Sequence, residues 1–250
     1  MIADLIAEIW RRATSVQPIP PPAVVALTAV AALALVMTRA VWPYTRVLVT
    51  ITHEAGHAVV ALLAGRQLEG IRLHSDASGL TVSSGRASGP GMVAMLLAGY
   101  LAPALVGLGA GGLLISGFSL GLLWLLVILL AVMLLQIRNF AGFGIVVVVG
   151  AALVAVSWYA PAPVQSGVAY LVTWILLLSA PKPVLELIRM RRYGRAPHSD
   201  ADQLARLTRV PAELWIALFL VLNGLGLLLG VALLLPAVVD VLVELLPAAS

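Results

Sequence analysis

Residues 46–65 read RVLVTITHEAGHAVVALLAG. A helix needs about 20 predominantly apolar residues to cross the hydrocarbon layer of a bilayer, and this stretch has that length and character. At its centre lies Thr52-His53-Glu54-Ala55-Gly56-His57-Ala58. Residues four apart on a helix project from nearly the same face, one turn above each other. His53 and His57 therefore form a pair able to share one metal ion, and Glu54, about 100° around the helix, can reach the open coordination position. Gly56 leaves that face of the helix small. An acidic side chain at mid-span costs about 2.5–3.5 kcal/mol on an insertion scale, so its presence in an otherwise apolar segment points to partners and a use.

Outward from this stretch the chain keeps the same character. Of its 250 residues 62% are hydrophobic and 10% charged, with a mean hydropathy of +1.07. Soluble domains run at about 25% charged, and one compact core cannot hide such an apolar excess. The composition predicts an all-α polytopic membrane protein, a bundle of about seven transmembrane helices near 23–38, 46–65, 91–115, 119–137, 143–160, 166–180 and 212–235. Residues 23–250 form a single membrane-embedded domain. Residues 1–22 read separately, with Ile2, Leu5, Ile6 and Ile9 on one face and Asp4, Glu8, Arg11 and Arg12 on the other. That pattern predicts an interfacial amphipathic helix, closed by a proline-rich linker. With no cysteine, a metal site would have to use His, Asp or Glu. The formal charge of +4 is too slight and scattered for a nucleic-acid partner.

Lys and Arg set the orientation. With the N-terminus in the cytoplasm, the segments 1–22, 66–90, 138–142 and 181–211 face inward and carry 13 of the 15 basic residues, leaving Arg39 and Arg46 outside. The positive-inside bias favours that arrangement, a multi-pass protein of the cell (inner) membrane with its N-terminus cytoplasmic. The segment 237–248, with Asp240 and Glu244, would then lie along the outer surface. Within 66–90, alternating runs Glu69–His74 and Leu80–Ser84 flank the turn Ser75-Asp76-Ala77-Ser78-Gly79, which predicts a cytoplasmic-side β-hairpin. Ile71, Leu73, Leu80 and Val82 are its alternating apolar positions. Glycines four apart (Gly107/Gly111, Gly117/Gly121, Gly226/Gly230) predict close helix contacts.

The motif in the span, the hairpin after it, Ala98-Gly99-Tyr100-Leu101-Ala102-Pro103 and Ser199-Asp200-Ala201-Asp202-Gln203-Leu204 together resemble the M50 intramembrane metalloproteases (site-2 protease relatives), in particular the M50B-like membrane proteins. The resemblance implies a zinc-dependent endopeptidase that cuts membrane-protein or peptide substrates at the lipid bilayer, with Ile71, Leu73, Leu80 and Val82 of the hairpin as its candidate substrate-binding residues, since a sheet edge supplies hydrogen bonds that lipid cannot offer to an unwound substrate. His53 and His57 would ligate Zn²⁺, and Glu54 would be the catalytic base that activates the metal-bound water. A regulatory membrane partner or a homo-oligomer is compatible with it. The chain departs from the family at the Asp-Gly segment that supplies the third zinc ligand, since no Asp-Gly pair occurs in it. Asp200 is the first candidate for that ligand, with Asp202 and Asn139 as alternatives. His74 and Asp76 read as turn residues and Glu186 as a surface charge. That departure keeps open a catalytically inactive scaffold that retains the motif, beside a metal- or proton-translocating protein.

Overall fold

The computed structural model describes residues 2–194 and 199–237. In chain order the elements are α1 (Ile2–Ala13), α2 (Pro22–Met37), α3 (Trp42–Leu63), β1 (Gln67–Leu73), β2 (Gly79–Ser84), α4 (Pro90–Ile115), α5 (Ser119–Leu134), α6 (Phe140–Tyr159), α7 (Ala162–Ser179), α8 (Lys182–Arg192), α9 (Asp200–Thr208) and α10 (Ala212–Leu234). Proline stands in the first two positions of α2, α3, α4, α7 and α8, where its fixed φ favours the helix and its missing N–H is no loss. His198 and the C-terminal segment with Asp240 and Glu244 lie outside the described residues.

Five stretches are long and apolar enough to cross a membrane: α3, α4, α6, Ala162–Arg192 (α7 with α8) and α10. Each of the seven expected segments is helical, but α2 and α5 are only 16 residues long. At 1.5 Å per residue they span about 24 Å, short of the roughly 30 Å hydrocarbon layer. The cause is local. After α5 the chain leaves the helix to pair with the hairpin, and after α2 it turns back at Thr38, whose carbonyl accepts from Val41 and Trp42.

The helices pack through small residues, as their spacing indicated. A Cβ at Gly107 would fall 2.9 Å from Leu177, one at Gly230 2.6 Å from the same side chain, and one at Gly226 3.1 Å from Ala104, which brings α4, α7 and α10 together. Gly117 instead makes the α4–α5 turn at φ +80°. Gly56 is also a packing residue: a Cβ there would meet Ala102 at 2.6 Å, so α4 occupies that small face.

The hairpin gains a third extended segment, paired parallel to β1. Ile71 N–H donates to Gln136 O at 2.8 Å and Ile71 O accepts from Arg138 N–H at 2.9 Å. The Asn139 side chain continues the ladder, its Nδ2 donating to Leu73 O at 2.7 Å and its Oδ1 accepting from Leu73 N–H at 3.2 Å. The outer edge of β1 is thereby closed, and Ile71 and Leu73 are buried in the core.

Segment 1–22 lies elsewhere than the charge count placed it. Gln17 N–H donates to Gly117 O at 2.8 Å, its Oε1 accepts from Leu120 N–H at 3.0 Å, and its Nε2 donates to Gln165 Oε1 at 3.0 Å. These partners sit at the end of α4 remote from the hairpin, about 39 Å along that 26-residue helix. Segments 1–22 and 66–90 therefore occupy opposite ends of the bundle and cannot both face inward. The physical reason is visible at Arg11 and Arg12: both bridge to Glu8 at 2.6 Å, so this pair brings little net charge to its end. Arg46, expected outside, pairs with Glu186 of α8 at 3.5 Å. The chain has no cysteine, so single substitutions report sidedness cleanly. Thr14→Cys and Ser116→Cys are expected to react with an impermeant thiol reagent from one side of sealed vesicles, and Ser75→Cys from the other. Thr14 and Ser75 reacting from the same side would overturn the arrangement.

Candidate metal centre

α3 sets His53, Glu54 and His57 on the face it turns toward α4 and β2. The Nε2 atoms of the two imidazoles lie 3.0 Å apart. Asp200 Oδ2, from the first turn of α9, lies 3.3 Å from each. These three lone-pair-bearing atoms converge on one point, which is unfavourable unless a cation or proton lies among them. A tetrahedral ion with bonds of about 2.0–2.1 Å holds its ligands roughly 3.3 Å apart, so the triangle has the spacing such an ion demands. Among the described residues this is the group of acidic and histidine side chains able to hold a metal.

The neighbours set the chemistry of the donors. Met95 O lies 2.7 Å from His57 Nδ1, and a carbonyl can only accept. The proton is therefore on Nδ1 and the Nε2 lone pair faces the site. His53 packs edge-on against His57 and against Tyr100, with ring centroids 4.7 and 4.9 Å away, and Tyr100 stacks on Phe219 at 4.9 Å. Gly99 makes room for the pair, since a Cβ there would fall 2.5 Å from His57 Cε1 and 2.8 Å from His53 Cε1.

Glu54 is 4% exposed and lies outside the ligand group. Thr81 Oγ1 of β2 sits 2.6 Å from its Oε2, and Gly79 leaves the space it fills, for a Cβ at 79 would come within 2.6 Å of Glu54 Oε1. β2 is thus seated directly on the carboxylate. Its backbone direction follows from its partner. Ile71 pairs with Thr81 and Leu73 with Gly79, and both β1 residues spend their N–H and C=O on residues 136–139. In an antiparallel pair of that kind both backbones point outward, so Thr81 and Gly79 direct theirs to the open side of β2. Ser83 O on that side is covered by Arg66 Nη2 at 3.3 Å.

The cleft over the site holds about 430 Å³, lined by His53, Glu54 and His57, by Gly79–Ser83, by Met92, Met95, Leu96 and Tyr100, and by Ser199, Asp200 and Gln203. Leu80 and Val82 are on its wall, whereas Ile71 and Leu73 are not. A larger groove of about 650 Å³ between α8, α9 and α10 contains none of the three converging groups.

The other candidates are engaged elsewhere. Asp202 pairs with Arg191 and Ser199, Asn139 with Leu73, and Asp76 accepts from Ser78 N–H at 3.0 Å in the hairpin turn, beside His74. Glu186 is no surface charge: it accepts from Trp42 Nε1 at 2.7 Å. Thr81 and Gly79 were not singled out as site residues, because nothing local in a Gly-Leu-Thr-Val run marks contact with a helix 27 residues earlier.

The family model described as Peptidase M50B-like matches residues 26–230. No curated protein and no solved structure matches the chain.

Proposed function

The chain belongs to the M50B-like peptidase family, a membrane-peptidase assignment with which its five span-length apolar helices agree, and on that premise we propose that it is a zinc-dependent endopeptidase acting on membrane-protein segments. The observation that carries the reading is the triangle of His53 Nε2, His57 Nε2 and Asp200 Oδ2, with Glu54 beside it but outside the ligand group. Those three residues would hold the ion, and a bound divalent ion would polarise the scissile carbonyl and make a nearby water acidic. Glu54 takes a proton from the water as its oxygen bonds to the carbonyl carbon, and delivers it to the amine when the C–N bond breaks. Thr81 holds the carboxylate for both transfers.

The substrate enters as a strand on the open side of β2. An unwound segment needs partners for its own backbone, and the N–H and C=O groups of Gly79 and Thr81 offer them next to Glu54. Leu80 and Val82 contact the substrate, and Ile71 and Leu73 support β1 from the core. The hairpin end, which gathers most of the basic residues, faces the cytoplasm, and segment 1–22 faces the outer side of the cell membrane.

Metal analysis of the purified chain beside Asp200→Ala tests the reading. Wild type is expected to hold one divalent ion per chain and to cleave a co-expressed membrane substrate in a chelator-sensitive manner. Asp200→Ala is expected to lose the ion and the activity together. A variant that retains metal as tightly as wild type would remove Asp200 from the site.

A further inference from the structure

We infer that Arg191 is the positioning residue of the metal centre, clamping α9 between α8 and α10 so that Asp200 stays against the two imidazoles. This rests on the reading of Asp200 as a ligand. α9 has nine residues, too few for a helix to be stable alone, so its placement must come from contacts. Ala201 and Leu204, both 0% exposed, dock it on the core. Such apolar contacts fix depth but carry no direction. Direction comes from the polar set. Arg191 Nη1 pairs with Asp202 Oδ1 and Nη2 with Glu213 Oε1 at 2.7 Å, while Ser199, the N-cap, donates to Asp202 Oδ2 at 2.6 Å. Asp202 stands about 200° around the helix from Asp200. The clamp therefore holds the face opposite the one that presents the ligand, and a small rotation of α9 would carry Asp200 away from both imidazoles. The planar fork of an arginine can engage two carboxylates at once, which a lysine ammonium does not reproduce.

The test titrates Co²⁺ into the full-length chain in detergent, reading the visible absorption of the bound ion and, separately, the thermal melt of the metal-free form. Arg191→Gln is expected to weaken Co²⁺ binding about 10–100-fold with an unchanged spectrum at saturation, since the donors are the same. Arg191→Lys should recover part of the loss. Asp202→Asn should match Arg191→Gln, and the double variant should lose no more than either. If Arg191→Gln does not fold, Glu213→Gln, which removes one arm of the clamp, carries the same expectation at the lower end of the range. Wild-type affinity in Arg191→Gln beside a large loss in Asp200→Ala would overturn the clamp alone, as would additive losses in the double variant. Wild-type affinity in Asp200→Ala would overturn the ligand reading, and the clamp with it.

Discussion

Glu54→Gln is expected to lower substrate turnover by roughly 10²–10⁴-fold, the range of a lost general base, while metal content and the melting temperature stay near wild type. The amide has the shape of the carboxylate and can still accept from Thr81 Oγ1, 2.6 Å away in the native chain, so β2 should remain seated. The amide cannot take the proton. Because Glu54 lies outside the ligand group, its replacement leaves His53, His57 and Asp200 as they were. Quantified cleavage of a co-expressed membrane substrate, with metal analysis of the same preparations, decides the matter. Turnover retained in the Gln variant would end the proposed mechanism, and metal lost with the activity would move Glu54 into the ligand set.

Gly99→Ala is the second large effect, although it adds a single methyl group. That carbon would lie 2.5 Å from His57 Cε1, nearer still to His57 Nε2, and 2.8 Å from His53 Cε1. Neither ring can retreat freely, since His57 is held by Met95 O at 2.7 Å and His53 is packed against Tyr100. Either the rings turn and the ligand triangle is lost, or α4 moves off α3 against the tight Gly56–Ala102 contact. Overpacking of this kind costs about 1–3 kcal/mol. The expected outcome is a purifiable, less stable chain without stoichiometric metal. Full metal occupancy in Gly99→Ala would show that the two helices separate more readily than their contacts imply.

Much of the centre was legible because it obeys a period. His53 and His57 share a face by helical geometry alone, and Asp200 stood out as an acidic residue in a polar run on the hairpin side of the chain. Its 3.3 Å distance to both imidazoles is a tertiary fact that no spacing encodes. Thr81 and Gly79 stayed hidden for the same reason, as their role depends on a hairpin folding back along α3. Ile71 and Leu73 looked equivalent to Leu80 and Val82 by alternation. They differ only because residues 136–139 add to one edge of the hairpin and not to the other. The separation of segment 1–22 from the other basic segments has a local mark in the sequence: Glu8 stands three and four residues before Arg11 and Arg12, the spacing of helical ion pairs.

The two short helices have a consequence for the lipid. α2 and α5, at 16 residues each, are about 6 Å shorter than a hydrocarbon layer of about 30 Å. Acyl chains beside them must compress or tilt, at a cost of fractions of a kcal/mol per ångström of mismatch. A bilayer that met either helix along its length would thin locally to match it. Membrane thickness, which differs between bilayers of different acyl-chain length, would then bear on where the protein sits, favouring its partition toward thinner regions.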